Sequence, residues 1–346
     1  MIPSLFNSGL MGKPSTGGGS VGGWVELART TLGSAASSIT VSSLSDKRYY
    51  MILTDITQVA GNINLGHRLN ADTGSNYAHR LSKNGAADGT TTSATYIHTN
   101  QTGGNPWDLF NVGYLSNLST NEKLLINHGV NTGGSGATND PERTESVGKH
   151  AQTSNPVTGV TAFDIGAASN FDTNSEVVVL GWDAADTHTT NFWTELASVD
   201  QSTGAATLSS GTITAKKYLW IQCFSQNASS ANTSVQLNND TSGNYANRYS
   251  IDGGADTTAG SQIIAWTKLN SNTFPCFTNM FIINNSANEK LMFGHTVTQN
   301  TAGAGTAPKR DEFANKWVNT SAQITEIDFL AASGNITGNL RVWGSD

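Results

Sequence analysis

Leu69-Asn70-Ala71-Asp72-Thr73-Gly74-Ser75-Asn76-Tyr77-Ala78-His79-Arg80 returns 168 positions later as Leu237-Asn238-Asn239-Asp240-Thr241-Ser242-Gly243-Asn244-Tyr245-Ala246-Asn247-Arg248, with eight of the twelve residues unchanged. A match of this length at a fixed offset is the signature of a duplicated structural unit. Working outward, Trp24-Val25-Glu26-Leu27-Ala28 recurs as Trp193-Thr194-Glu195-Leu196-Ala197, and Asn121-Glu122-Lys123-Leu124 recurs as Asn288-Glu289-Lys290-Leu291. Arg143, Glu145 and Lys149 match Arg310, Glu312 and Lys316, and Val179-Leu180-Gly181 stands opposite Val342-Trp343-Gly344. The spacing predicts one copy over residues 24–183, a polar linker over 184–192 and a second copy over 193–346. Ahead of them, residues 1–23 carry Ile2, Leu5, Phe6, Leu10 and Met11 followed by a Gly-rich run, which reads as an apolar plug on a flexible tether.

Inside a copy the apolar period is two. Ile39 and Val41, then Ile63, Leu65, His67 and Leu69, alternate with polar residues, as do Val235 and Leu237. Denser runs, Tyr49 to Leu53, Tyr218 to Ile221 and Glu176 to Leu180, suit central strands covered on both faces. Turn signals such as Asn84-Gly85, Asp252-Gly253-Gly254 and Thr132-Gly133-Gly134-Ser135-Gly136 separate them. Only 13 % of residues are charged and 36 are Gly, a composition short of the material for surface helices. The expected fold is all-β: two tandem antiparallel, jelly-roll-like β-sandwiches with an extended N-terminal arm.

A net charge of -7 argues against a nucleic-acid surface, whose affinity comes from Lys and Arg neutralising phosphates. No apolar run approaches the ~20 residues of a membrane helix, so a soluble protein without membrane insertion is expected. The start lacks a basic stretch followed by an apolar block, so no secretory signal is expected either. Cys223 and Cys276 are too few for a disulfide framework and lack zinc-ligand spacing, and read as free core thiols.

The candidate sites each have a plain structural alternative. Asn70 to Asn76 echoes a calcium loop but lacks the bidentate Glu at its end; the alternative is a turn with side chains capping the backbone and Gly at positive φ. Arg80 and Arg248 with Glu122, Glu289, Asp72 and Asp240 resemble the carboxylate pairs of glycoside hydrolysis. Because each occurs once per copy, together with Asn76 and Asn244, they read instead as fold-defining polar contacts. Of seven histidines only His128 and His295 correspond between copies, which points to structural roles and no metal; His67 faces Val235, His79 faces Asn247 and His150 faces Trp317. No nucleophile elbow, phosphate loop, dinucleotide fingerprint or zinc-protease motif occurs. The chain is expected to be no enzyme, with no catalytic residues and no cofactor.

Leu-Asn-x-Asp-Thr-x-x-Asn-Tyr-Ala-x-Arg, then Asn-Glu-Lys-Leu, then Arg-x-Glu-x-x-x-Lys with the run Asn315 to Thr325, resembles β-sandwich domains of tailed-bacteriophage virion proteins of marine and cyanobacterial phages. The resemblance covers both copies and leaves residues 1–23 unmatched. It implies a tail-fibre or capsid-decorating component of the virion, assembled in the host cytoplasm, homo-oligomeric and bound to other virion proteins. A second reading, from another class, is a pair of carbohydrate-binding modules in which Trp107, Trp182 and Trp266 stack on host glycans; the alternative for these residues is sandwich core.

Overall fold

In the computed structural model, residues 23–104, 107–166, 171–184, 186 and 188–346 are described, and they contain strands and turns but no helix. The first twelve strands are β1 (Val25–Thr31), β2 (Ser38–Val41), β3 (Tyr49–Ile56), β4 (Asn64–Leu69), β5 (Tyr77–Lys83) and β6 (Gly89–Ala94), then β7 (Ile97–Gln101), β8 (Leu109–Ser116), β9 (Lys123–Asn131), β10 (Glu142–His150), β11 (Val160–Asp164) and β12 (Glu176–Trp182). The second twelve are β13 (Thr194–Ala205), β14 (Thr207–Ser209), β15 (Tyr218–Asn227), β16 (Ala231–Leu237), β17 (Tyr245–Ile251) and β18 (Thr257–Gln262), then β19 (Ala265–Asn272), β20 (Cys276–Ile283), β21 (Lys290–Thr298), β22 (Lys309–Trp317), β23 (Ile327–Ala331) and β24 (Ile336–Ser345).

They form an eight-stranded sheet, β1-β12-β3-β8-β9-β10-β5-β6, and a four-stranded sheet, β2-β11-β4-β7. The second set repeats both orders strand for strand, as β13-β24-β15-β20-β21-β22-β17-β18 and β14-β23-β16-β19. The fold is therefore all-β, a jelly-roll-like antiparallel sandwich written twice. By contacts the chain divides into two compact units: residues up to Ser82 with Asp88–Gly129 and Thr144–Thr194, and Lys83–Ala87 with Val130–Arg143 and Glu195–Asp346.

Period two puts one side of each strand inside. Ile39, Val41, Ile63, Leu65 and Leu69 join Tyr50, Ile52, Val177 and Val179 in the first core. Leu219, Ile221, Val235 and Leu237 join Met280, Ile327 and Val342 in the second. Each such side chain contributes roughly 1.5–3 kcal/mol by leaving water. The runs expected in central strands lie there: β3 pairs with β12 and β8, and β15 with β24 and β20. Cys223 and Cys276 are free and buried, as their sequence context suggested.

The two cores differ in polarity at matched positions. In the first, His67 lies between Thr54 and Thr99, its Nε2 3.2 Å from Thr54 Oγ1 and its Nδ1 2.8 Å from Thr99 Oγ1. Val235 takes the place of His67 in the second, and Cys223 that of Thr54. Burial holds His67 at about 4, below the ordinary histidine range, because a charged imidazole there would lose its water. His98 is likewise held at about 4, by burial and then by neighbouring His79. A base whose folded pKa lies below its unfolded value binds more protons when unfolded. The folded state is thus favoured above about pH 6.5 and loses stability as the pH falls from there toward 4, by on the order of 3 kcal/mol for His67 alone. Urea denaturation at pH 7 and at pH 4.5 is expected to show this loss for the wild type, and His67→Val is expected to flatten the pH slope.

Candidate functional site

The repeated twelve-residue block is a turn and the start of a strand. Asn70 and Ala71, like Asn238 and Asn239, sit at φ of 51–55°, the left-handed region that Asn tolerates better than most residues. Gly74 and Gly243, expected to supply the positive φ, do not adopt it. The reason lies in a segment distant in sequence: the Asn70 side-chain oxygen accepts the N–H groups of Thr158 and Gly159 at 2.7 and 3.2 Å, and Asn238 does the same for Thr325 and Glu326 at 2.8 and 3.0 Å. These bonds hold each Asn in the left-handed conformation.

The aspartate of the block faces inward along the turn. Asp72 accepts the Gly74 N–H at 2.7 Å, the Asn76 amide at 2.8 Å and His150 Nε2–H at 2.8 Å. Asp240 accepts the Ser242 N–H at 2.9 Å, the Asn244 amide at 2.8 Å and the Trp317 indole N–H at 2.7 Å. Hydrogen bonds, that from His150 first, pull the Asp72 carboxyl down to about 2. For Asp240 burial pushes upward, but donation from Asn244, Trp317 and Ser242 outweighs it and the net shift is downward. His150 and Trp317, different residues at one position, do the same two things. Both are buried, and both stack on the tyrosine of the block, with ring centroids 4.4 Å apart for Tyr77–His150 and 6.4 Å for Tyr245–Trp317. That tyrosine closes the turn in its own right: Leu69 N–H donates to Tyr77 Oη at 3.0 Å, and Leu237 N–H to Tyr245 Oη at 2.9 Å.

The Asn-Glu-Lys-Leu motif is also architectural. Lys123 Nζ is buried and donates to the carbonyls of Asn121 and Gln152 at 2.6 and 2.9 Å; Lys290 Nζ donates to those of Asn288 and Asn319 at 2.9 and 2.7 Å. Desolvation lowers both amines, Lys290 to about 8. His128 and His295 lie within the strands that these lysines begin.

The remaining repeated charges behave differently in the two units. In the first, Arg80 pairs with Asp88 at 3.3 Å and Lys149 with Glu122 at 2.9 Å, all four exposed. In the second, Lys316 is fully buried, 3.0 Å from Glu289, and donates to the carbonyls of Thr132 and Gly134. Glu289 accepts the Gly136 N–H at 2.6 Å, and Arg248 Nε donates to the Pro141 carbonyl at 2.6 Å. Arg143 bonds Asp256 at 2.8 Å and Glu312 at 3.1 Å, with side-chain exposures of 8, 4 and 12 %. The loop Val130–Arg143 of this unit is thus held by buried charges at its ends and middle. Asp256 escaped the sequence reading, although Asp88 and Asp256 recur at the same offset as Arg80 and Arg248.

None of the glycan-stacking candidates is in either core. Trp107 is half-buried, its ring lying over Gly104, where an added Cβ would come within 2.6 Å of it. Trp182 stacks on Tyr49 at 5.7 Å, and Tyr49 is 40 % exposed. Trp266 is half-buried on β19. Ile2, Leu5, Phe6, Leu10 and Met11 lie outside the described residues. No helix among the described residues is long and apolar enough to cross a membrane.

No protein-family model matches the chain, and no curated protein matches it in sequence. Among solved structures, the LG1–3 region of the laminin α2 chain is 8 % identical at a TM-score of 0.21, over 89 % of this chain and 64 % of that one. This chain therefore spans less than two thirds of the laminin α2 fragment. Domains LG4–5 of the mouse laminin α1 chain are 8 % identical at a TM-score of 0.18, over 93 % and 90 % of the two chains. Scores this low carry no inference from laminin to this chain.

Removing one partner from a buried ion pair strands the other charge and costs about 3–5 kcal/mol, whereas an exposed pair is worth about 0–1 kcal/mol. Arg143→Ala is expected to lower the chemical-denaturation midpoint markedly. Arg310→Ala, at the matched exposed position, is expected to leave it within error.

Proposed function

We propose that the chain is a non-enzymatic structural protein of a bacteriophage particle, in the manner of a tail-fibre or capsid-decorating component. One observation carries most of the case. The repeated residues Asp72, Tyr77 and Lys123, with Asp240, Tyr245 and Lys290, hold turns and strands in the same way in each copy, and the other repeated charges form ion pairs in both units. A site that performed a reaction would leave some of these groups available to a substrate. Selection for a repeated rigid shape is what a particle component needs. The sequence resemblance to virion β-sandwiches points the same way, and residues 1–23 supply a segment of the composition expected for an anchor, apolar residues on a Gly-rich tether. On this reading the partners are other virion proteins, the place of action is the virion assembled in the host cytoplasm, and no cofactor takes part.

The carbohydrate-binding reading keeps one specific support, the Tyr49–Trp182 stack with its exposed tyrosine ring, since aromatic faces at a surface suit sugar stacking. Removing residues 1–23 is expected to abolish incorporation into particles while leaving the sandwiches folded. Particles carrying the truncated chain at normal occupancy would refute the anchor. A glycan array probed with wild type and Trp182→Ala addresses the alternative: binding that vanishes in the variant would replace the structural reading with recognition.

A further inference from the structure

The loop Val130–Arg143, held within the second unit, has a counterpart between β21 and β22, Val297 to Arg310. The two loops share their anchoring residues at one offset: Gly136 and Gly303, Ala137 and Ala304, Pro141 and Pro308, Arg143 and Arg310. They share positive φ at two matched positions, 82° at Gly136 and 80° at Gly303, and 61° at Gly133 and 67° at Asn300, and differ at Gly134, at 115°, whose counterpart Thr301 is outside that region. Most of the bonds that hold the first loop go to its backbone, to the carbonyls of Thr132, Gly134, Ala137 and Pro141 and the N–H of Gly136. Backbone recognition tolerates sequence change, so a loop that turns at the same two positions and keeps the same anchoring residues presents like groups from Gly303 to Arg310. The exception is the arginine at its end, which both loops keep.

The surface that holds the loop is duplicated too. Lys316, Glu289, Arg248 and Asp256 correspond to Lys149, Glu122, Arg80 and Asp88 in the first unit. Ser261, whose N–H donates to the Ala137 carbonyl at 2.7 Å, corresponds to Ser93, and both sit at φ 51°. Exposure separates the two sets. The second-unit side chains are 0, 11, 15 and 4 % exposed, and the first-unit ones 48, 40, 57 and 43 %. Arg310, the counterpart of buried Arg143, is 61 % exposed. Beside this face Leu124, Ile126 and Val147 are exposed at 56, 53 and 47 %, while their counterparts Leu291, Phe293 and Ala314 are buried.

We propose that the first-unit face built on Arg80, Asp88, Glu122 and Lys149 binds the loop Val297–Arg310 of a second copy of this chain. Arg310 then meets Asp88 as Arg143 meets Asp256, Lys149 takes the loop carbonyls that Lys316 takes in the second unit, and the exposed apolar side chains are covered. The contact joins two different surfaces, so it propagates from chain to chain, closing into a ring or running on as a filament according to its rotation. This inference rests on the duplication and stands whether or not the chain belongs to a particle.

The test is sedimentation velocity on the full chain across a concentration series. Wild type is expected to associate. Arg310→Asp and Asp88→Arg, each exposed and each expected to leave the melting temperature unchanged, are expected to weaken association by ~10-fold or more, the loss typical of a like-charge contact at an interface. The double variant Asp88→Arg with Arg310→Asp is expected to regain it. A wild type that stays monomeric at the highest concentration, or association indifferent to both single variants, overturns the proposal, as does a double variant no stronger than the weaker single one.

Discussion

The carboxylate in the turn before β5 and before β17 is the constraint on which each sandwich is built. Asp72 and Asp240 each collect a backbone N–H, an asparagine amide and a ring N–H from the end of the neighbouring strand, β10 or β22. Three charge-assisted bonds to one side chain fix where the chain reverses and how the next strand lies against its partner. The position of the tyrosine follows directly. Tyr77 and Tyr245 put their hydroxyls on the Leu69 and Leu237 backbone and offer their rings to the same His150 and Trp317. A turn, an edge of the core and a strand-to-strand contact are thereby tied to a single acid.

That frame explains how the two copies diverged without losing shape. An imidazole and an indole are different in size and charge, yet each is a flat ring with an N–H to give, and the position asks for nothing more. Elsewhere the copies exchange chemistry in compensating sets. Thr54 with His67 becomes Cys223 with Val235, so a hydrogen-bonded polar interior becomes an apolar one with no orphaned donor at the histidine position. The exchange leaves the first copy sensitive to acid through a buried imidazole, a sensitivity for which Val235 has no equivalent.

Much of the fold was legible because duplication and a period of two are properties of neighbouring residues. The alternation through Ile63 to Leu69 and the density of Tyr49 to Leu53 placed strands and core correctly. Strand order was not legible, since β1 pairs with β12 and β2 with β11 across more than a hundred intervening residues, and no local signal records such pairings. The turn chemistry was half legible: the Asx capping was visible in Asn70 and Asp72, but which residue would take positive φ depended on N–H groups supplied by Thr158 and Gly159. The tryptophans illustrate a further limit. Strand propensity suggested burial for Trp107, Trp182 and Trp266, but where on a sheet a ring lies, at its middle or its margin, is settled by topology alone.

The repeated polar motifs could suggest either a site or a scaffold from sequence, and only their hydrogen bonds separate the two. The indole N–H of Trp317 reports on the matter without any variant, through its hydrogen-exchange rate in solution. If Asp240 anchors the turn as described, that proton is protected to the same degree as the core amides of β22, because its release requires the turn to open. Exchange at the rate of an exposed indole would show the carboxylate free for other work and contradict the reading of these residues as the frame of the fold.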